Sequence, residues 1–125
     1  MGEITLKIDR ERDITVRAII GDVSVQQLVE ALAEYFAGEP TLNVLLDFSE
    51  AELRMLSAGD VRMLAQVTRQ YADSRAGGKT ALVFSSAIGY GLGRMFEQLR
   101  HATGAPVAYK TFREKGKAME WLGGA

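Results

Sequence analysis

The stretch LNVLLDFSEAELRMLSAGDVRML, from Leu42 to Leu64, decides the fold. It begins with an apolar run, Val44–Leu46, that is typical of a buried strand and ends at Asp47. A helix is predicted to begin after Ser57, because Asp60 three residues later completes the spacing of a capping box. A buried strand followed by a capped helix is the repeating unit of α/β proteins, and this stretch therefore predicts that class.

Two alternating segments precede this unit, Glu3–Ile8 and Ile14–Ile20. Apolar residues occupy every second position in both, which predicts two strands, and the short charged segment between them predicts an antiparallel hairpin. The polar faces of the hairpin are expected to meet water or a partner. Glu3, Lys7 and Arg17 are expected to protect an exposed sheet edge from pairing with other chains.

The remainder of the chain alternates helices and strands, so the predicted order is ββαβαβαβα. We expect one α/β domain over residues 1–125, with a five-stranded mixed sheet in which the hairpin is followed by parallel βα units. Two strand arrangements fit: a sequential order with helices mainly on one face, or an order that reverses once and is covered on both faces. The alternation of the hairpin favours the first. The other predicted elements are the helices Ser24–Gly38, Ala58–Arg75, Ile88–Ala102 and Glu114–Leu122, and the strands Leu42–Phe48, Lys79–Ser85 and Pro106–Phe112, with a long loop at Ser49–Leu56.

Composition narrows the functional classes. The chain has 125 residues, 47% hydrophobic and 25% charged, which is typical of one globular domain. A net charge of -1 argues against nucleic-acid binding. No cysteine is present, which excludes disulfides and thiolate chemistry and fits a reducing cytoplasm. No apolar run reaches the roughly 20 residues of a membrane span, so we expect no integral membrane segment.

Ser85, Ser86, Tyr90, Gly91 and Arg94 form the strongest candidate binding segment, since serines end a buried strand and glycines follow at the start of a helix. Backbone N–H groups there suit an anion, and a guanidinium one turn later suits a carboxylate or phosphate. The structural alternative is a serine cap, glycines that allow close packing, and an ion pair at the arginine. The spacing matches neither G-x-G-x-x-G nor a Walker loop.

Asp47 and Ser57 complete the candidate surface. Asp47 follows a buried strand, where α/β sheets place their sites, although an aspartate there also caps loops. Ser57 is explained by the helix cap, and could also accept a phosphate at the helix N-terminus. His101 is the single histidine, and no metal-ligand spacing or catalytic triad is present. We therefore expect no cofactor, no metal and no enzymatic activity.

The chain resembles the SpoIIAA-like proteins of the STAS superfamily, bacterial domains grouped with the CRAL-TRIO lipid-transfer fold. The segments that carry the resemblance are Leu42–Phe48, Ser57–Gly59, Tyr90–Phe96, Thr111–Arg113 and Ala118–Leu122. The resemblance implies a regulatory module that binds a protein partner or a second copy of itself. It also implies an alternative, a carrier of a small apolar ligand or lipid, for which the adaptable side chains are Met55, Leu56, Met63 and Met95.

In anti-sigma factor antagonists of the STAS superfamily, an Asp-Ser-Ser-Gly motif opens the helix after the central strand, and its second serine is phosphorylated. The matching run here is Leu56-Ser57-Ala58-Gly59. Leu56 stands at the aspartate position and Ala58 at the phosphorylated position. The resemblance therefore argues against the phosphorylation switch of those antagonists.

Overall fold

The computed structural model describes residues 2–38, 40–54, 56–71, 75–104 and 106–124 and confirms an α/β fold with a mixed sheet. Two short strands precede a long one, and helices then alternate with parallel strands. The strands are β1 (Glu3–Ile4), β2 (Lys7–Asp9), β3 (Ile14–Asp22), β4 (Asn43–Glu52), β5 (Lys79–Val83) and β6 (Ala108–Phe112). The helices are α1 (Val25–Ala37), α2 (Ala58–Arg69), α3 (Ala87–Ala102) and α4 (Lys115–Met119), and a π-helical turn follows at Glu120–Gly124.

The first predicted strand is split into β1 and β2, although both pair with β3 in a single antiparallel register. The interruption lies at Thr5, whose N–H donates to the Ala18 carbonyl at 2.9 Å. In return, the Ala18 N–H donates to Thr5 Oγ1 at 3.1 Å instead of to a backbone carbonyl. A side chain has replaced one bond of the ladder, which ends the regular strand without moving its register.

The long strands follow the sequential order β1-β3-β4-β5-β6, with β2 also paired to β3. β4 lies parallel to β3 and β5, and β5 lies parallel to β6. Between Asp47 and Glu50, β4 contains one more residue than β3 contains between Ala18 and Ile20, which makes a β-bulge. The strand continues through this bulge to Glu52, so the predicted loop at Ser49–Leu56 is shorter than expected.

Three of the four helices lie on one face of the sheet, as the favoured arrangement expects, and the fourth covers the other face. On one face, α4 and the π-helical turn pack on a core in which Leu45, Ala81 and Ala118 are completely buried. Helices α1, α2 and α3 cover the opposite face, since their side chains surround a cavity together with side chains of the sheet. The favoured arrangement is therefore confirmed: the order is sequential and the helices lie mainly on one face.

The polar side chains of β3 are buried under the helices and do not face water, which was one of the two environments expected for them. Thr15 and Arg17 are 1% and 9% exposed, and both lie on the face that α1, α2 and α3 cover. Thr15 Oγ1 is 2.8 Å from Thr41 Oγ1, so its hydroxyl has a buried partner 26 residues away in the chain. Arg17 therefore does not protect a sheet edge, because β3 is an interior strand.

The predicted helix starts are confirmed. Ser24 and Gln27 form a complete capping box at α1, and Gly38 ends that helix. Ser57 and Asp60 form the second capping box, at α2. The assigned part of α2 ends at Arg69, and the predicted continuation toward Arg75 crosses residues 72–74, which lie outside the described residues. α3 begins at Ala87, one residue earlier than predicted.

Candidate functional site

Asp47 lies in the bulge of β4, where its Oδ1 accepts a hydrogen bond from the Ser49 N–H at 3.0 Å. This bond spans two residues and closes a local turn, a common use of aspartate next to an irregular strand. The carboxylate therefore fixes the shape of the chain at the carboxyl end of β4. A binding role for Asp47 stays a prediction.

Ser85 connects this bulge to the neighbouring strand, because its Oγ donates to the Ser49 carbonyl at 2.8 Å. Arg113, directly after β6, donates from Nη2 to the Ser85 carbonyl at 2.8 Å and from Nε to the Phe84 carbonyl at 3.2 Å. The Arg113 guanidinium carbon also lies 6.0 Å from the ring centroid of Tyr90, within cation–π range. Asp47, Ser85 and Tyr90 are thus brought together through Ser49 and Arg113.

Arg113 is the residue of this group that the sequence interpretation missed. A signal was present, since Arg113 directly follows the last parallel strand, as Asp47 follows the central apolar run. The same rule about carboxyl ends of strands that selected Asp47 selects Arg113 as well. We call Asp47, Ser49, Ser85, Tyr90 and Arg113 the carboxyl-edge cluster.

The start of α3 has the geometry of a plain helix cap. Ser86 Oγ accepts from the Gly89 N–H at 3.0 Å, and the Ser86 carbonyl accepts from the Tyr90 N–H at 2.9 Å. Gly91 is exposed on the same helix. Two of the backbone donors considered for an anion therefore already have partners within the helix.

Arg94 forms an ion pair with Glu97 of its own helix. Its Nη1 lies 2.9 Å from Oε2 of Glu97, and this oxygen also accepts from Thr111 Oγ1 on β6 at 3.0 Å. The Glu97 side chain is buried, whereas 45% of the Arg94 side chain is exposed. The ion pair ties α3 to the sheet, which is the structural alternative for Arg94. The spacing of three residues between Arg94 and Glu97 would have indicated it.

Ser57 belongs to the capping box of α2 and is exposed. Its Oγ accepts from the Asp60 N–H at 3.1 Å, and its own N–H donates to Asp60 Oδ2 at 3.0 Å. These bonds account for the residue as a helix cap. Phosphorylation of Ser57 stays a prediction.

A cavity of about 140 Å³ lies between the sheet and helices α1, α2 and α3. Its wall is predominantly apolar and includes the stacked pair Phe48 and Phe84, whose ring centroids lie 4.8 Å apart. Phe36, which is also in the wall, stacks on Tyr71 with ring centroids 4.4 Å apart. Leu56 lines the cavity as predicted for an apolar ligand. Met63 and Met95 do not line it, and Met63 is 40% exposed, so their predicted role is wrong. Met55 lies outside the described residues.

Two arginines, Arg17 and Arg75, reach the wall of this cavity, and no aspartate or glutamate does so among the described residues. The guanidinium nitrogens of Arg75 have hydrogen-bond acceptors in the protein. Its guanidinium donates to the Leu42 carbonyl, to Thr80 Oγ1 and to the Lys79 carbonyl at 2.8–3.2 Å. Burial lowers the pKa of Arg75 below its usual value. The three acceptors show that Arg75 connects the strand ends at this side of the cavity.

Tyr35 of α1 closes the same side, because its hydroxyl donates to the Thr41 carbonyl at 2.7 Å. Burial raises the pKa of Tyr35, and the nearby charge of Arg75 and the bonds to Thr41 offset part of that effect. Tyr35, Thr41 and Thr15 form one buried polar network that joins α1 to β3. This network is a polar attachment of α1 to the sheet.

Arg17 differs from the other buried arginines. Its Nε is buried and has no hydrogen-bond partner among the residues that the structure describes. Arg100, which is also buried with unpartnered nitrogens, lies 5.6 Å over the Tyr109 ring and donates weakly to Thr103 Oγ1 at 3.3 Å. Within the described ranges Arg17 has no such aromatic contact, and Nε is the nitrogen of its guanidinium that is buried without a partner.

No group of three or more His, Asp or Glu side chains within the described residues is arranged to hold a metal ion. Over those same ranges, no helix is long and apolar enough to cross a membrane. His101 Nε2 accepts a hydrogen bond from the Tyr109 N–H at 3.3 Å, which ties the end of α3 to β6.

No protein-family model and no curated protein matches the chain. Among solved structures, it is similar to an uncharacterised DUF3478-family protein with a SpoIIAA-like fold from Shewanella loihica PV-4, with 20% identity and a TM-score of 0.58 over 98% of this chain and 95% of that chain. It is also similar to an anti-sigma factor antagonist from Mycobacterium paratuberculosis, with 15% identity and a TM-score of 0.60 over 96% of this chain and 94% of that chain. The chain therefore has the SpoIIAA-like fold that its sequence predicts.

Proposed function

We propose that the protein is a non-enzymatic regulatory module of the cytoplasm that binds a protein partner, or a second copy of itself, through the carboxyl-edge cluster and the start of α3. The observation that carries this proposal is Ile88, which is 78% exposed in the first turn of α3. An exposed isoleucine next to a half-buried tyrosine, Tyr90, gives the apolar and aromatic contact that protein interfaces use.

The surroundings of Ile88 support the proposal. Ser86 caps α3 directly before it, and Arg113 holds the preceding Ser85 carbonyl in place. A side chain held on such a fixed backbone loses little freedom on binding, which favours affinity. The fold likeness to an anti-sigma factor antagonist adds a precedent for a SpoIIAA-like domain in a regulatory protein. Leu56 and Ala58 argue against regulation by phosphorylation at the position that such antagonists use.

The test compares two variants that each place a charge on an exposed apolar position. Ile88→Glu changes the proposed surface, and Met63→Glu changes a 40% exposed residue on α2. We expect the protein fixed to a resin to recover a specific partner from native lysate, with Ile88→Glu reducing recovery and Met63→Glu leaving it unchanged. Asp47→Ala and Arg94→Ala test the rest of the surface. Equal recovery with all four variants would overturn the proposed interface.

Self-association is tested separately by sedimentation of the purified protein over a range of concentrations. If the partner is a second copy, Ile88→Glu shifts the protein toward the monomer and Met63→Glu does not. If the protein is a monomer at all concentrations, the partner is not a second copy and must be a different protein.

The second candidate function is the binding of a small apolar ligand, and the cavity of about 140 Å³ under α1, α2 and α3 favours it. Ligand sites in proteins are concave and mostly apolar with few polar groups, and this cavity has that character. Native mass spectrometry of the gently purified protein tests it. A bound small molecule supports the candidate, and a mass equal to the chain alone in every preparation argues against it.

A further inference from the structure

Arg17 is a charged group placed where the fold does not use it. The residue is 9% exposed and lies in the cavity wall, and its Nε has no partner among the described residues. A buried guanidinium nitrogen without a hydrogen-bond partner is costly, and native proteins almost always supply a partner for such a donor. The missing partner is therefore expected to be an anion that enters the cavity.

The charge of the cavity favours an anion as well. Arg17 and Arg75 both reach its wall, whereas no carboxylate does so within the described ranges. Arg75 is already bound to three protein acceptors. Arg17 is thus the group with donors to offer, and a guanidinium matches the two oxygens of a carboxylate in a bidentate pair.

The rest of the cavity wall is predominantly apolar and indicates that the ligand also has an apolar tail. Leu28, Leu32, Leu46 and Phe36 contribute apolar surface to the same cavity. A cavity of about 140 Å³ is close in size to the apolar cavity of about 150 Å³ that accepts benzene in an engineered protein, so it suits a tail of roughly six carbons. A slightly longer tail fits if α1 moves outward.

α1 is suited to that movement, because none of its described residues is buried. Its apolar side chains Leu28, Leu32 and Phe36 are half-buried and face the cavity. Segments with little buried apolar surface open at low free-energy cost. The side of the cavity under α1 is therefore the route by which a ligand would enter.

We propose that the cavity binds a straight-chain monocarboxylate of about six to eight carbons, with the carboxylate on the Arg17 guanidinium and the tail between α1 and the sheet. This proposal rests on the second candidate function, the binding of an apolar ligand, and names the chemical class of that ligand.

The experiment measures binding by isothermal titration calorimetry with three probes: octanoate, 1-octanol and acetate. Octanol has the tail without the charge, and acetate has the charge without the tail. We expect octanoate to bind more tightly than octanol, and acetate to show no binding. Arg17→Met should weaken octanoate about tenfold or more, because a hydrogen-bonded ion pair is lost, and change octanol by less than about twofold. Arg54→Met, at an exposed position, is the matched control and should change neither.

Leu32→Phe places a larger side chain in the cavity and should weaken both octanoate and octanol, which locates the site. Circular dichroism and urea unfolding establish that each variant is folded. If octanol binds as tightly as octanoate, or if Arg17→Met leaves octanoate unchanged, the carboxylate proposal is overturned while the second candidate function stands. If neither eight-carbon probe binds to the wild-type protein, both are overturned. Binding that Leu32→Phe leaves unchanged would place the site elsewhere and would also overturn the proposal.

Discussion

The buried carboxylate of Glu97 on α3 accepts a hydrogen bond from Thr111 Oγ1 on β6 at 3.0 Å. The same oxygen receives Arg94 at 2.9 Å, so Glu97 joins its own helix to the edge of the sheet. A buried charge of this kind is tolerated because it is both paired and hydrogen-bonded.

We expect Glu97→Ala to lower the free energy of unfolding by about 2–4 kcal/mol, because it removes both bonds and leaves a cavity. Arg94→Ala should cost less, about 1 kcal/mol, since its partly exposed side chain is screened by solvent and Thr111 still contacts the carboxylate. Urea unfolding of both variants and the double variant measures the coupling. Equal losses from the two single variants would contradict the assignment of Glu97 as the central group.

The glycines of α3 provide a matched pair two residues apart. A Cβ at Gly93 would lie 2.7 Å from Thr111 Cγ2 and would also overlap the Phe84 ring. A Cβ at Gly91 meets no surrounding atom of the described residues within 4 Å. Gly93→Ala should therefore destabilise the protein by about 1–3 kcal/mol through overpacking. Gly91→Ala should stabilise it by about 1 kcal/mol, because alanine favours the helix.

Thermal and urea unfolding of the two alanine variants check this pair. If Gly91→Ala lowered the stability while the secondary structure stayed normal, the prediction would be contradicted, because the backbone at this position would then require glycine. The sequence left open whether the glycines of α3 serve close packing or the approach of an anion to the backbone. Close packing explains Gly89 and Gly93, since a Cβ at Gly89 would also be 2.8 Å from Leu53 Cδ1.

Local signals in the sequence predicted much of the fold. Ser24 with Gln27 and Ser57 with Asp60 each lie within one turn, so the capping boxes were readable from spacing alone. The sequential strand order is the one of the two fitting arrangements that the alternation of the hairpin favoured. The bulge at Asp47 was missed because it depends on pairing with β3, which spacing within β4 does not reveal.

The buried polar face of β3 shows why the candidate site was less predictable. Alternation in β3 separates two faces and does not say which of them the helices cover. The alternation of Thr15 and Arg17 with apolar residues favoured an exposed face. Both side chains are buried instead, and the Thr15 hydroxyl has its partner in Thr41, which lies in a distant part of the chain. The cavity and its unpaired arginine therefore emerge only from the three-dimensional structure.

Tyr35 should give the protein a measurable alkaline pH dependence. Burial raises its pKa above the value of about 10 that it has in the unfolded chain. The folded state then holds a proton that the unfolded state releases, so the stability from Tyr35 is complete below pH 10 and is lost as the pH rises through the folded pKa. Tyr35→Phe removes the bond to the Thr41 carbonyl and should cost about 1 kcal/mol at pH 7.

The difference in stability between wild type and Tyr35→Phe should shrink as the pH rises above about 10. Urea unfolding of both proteins across this range measures it, and the other tyrosines cancel because both proteins contain them. A difference that stays constant with pH would show that Tyr35 titrates equally in the folded and unfolded states.

Arg17→Met should make the protein more stable in the absence of ligand. Methionine fills a similar volume and removes a cation whose Nε is buried without a partner in the described structure. Replacement of buried charges by apolar side chains of similar size has raised stability by about 1–4 kcal/mol in other proteins, and we expect a gain of about 1–3 kcal/mol here. Urea unfolding of wild type, Arg17→Met and the exposed control Arg54→Met measures it, and the control should stay within about 0.5 kcal/mol. A loss of stability in Arg17→Met would mean that the fold itself uses the guanidinium. A gain would show that the protein keeps an arginine at the expense of its own stability, as expected of a group retained for binding.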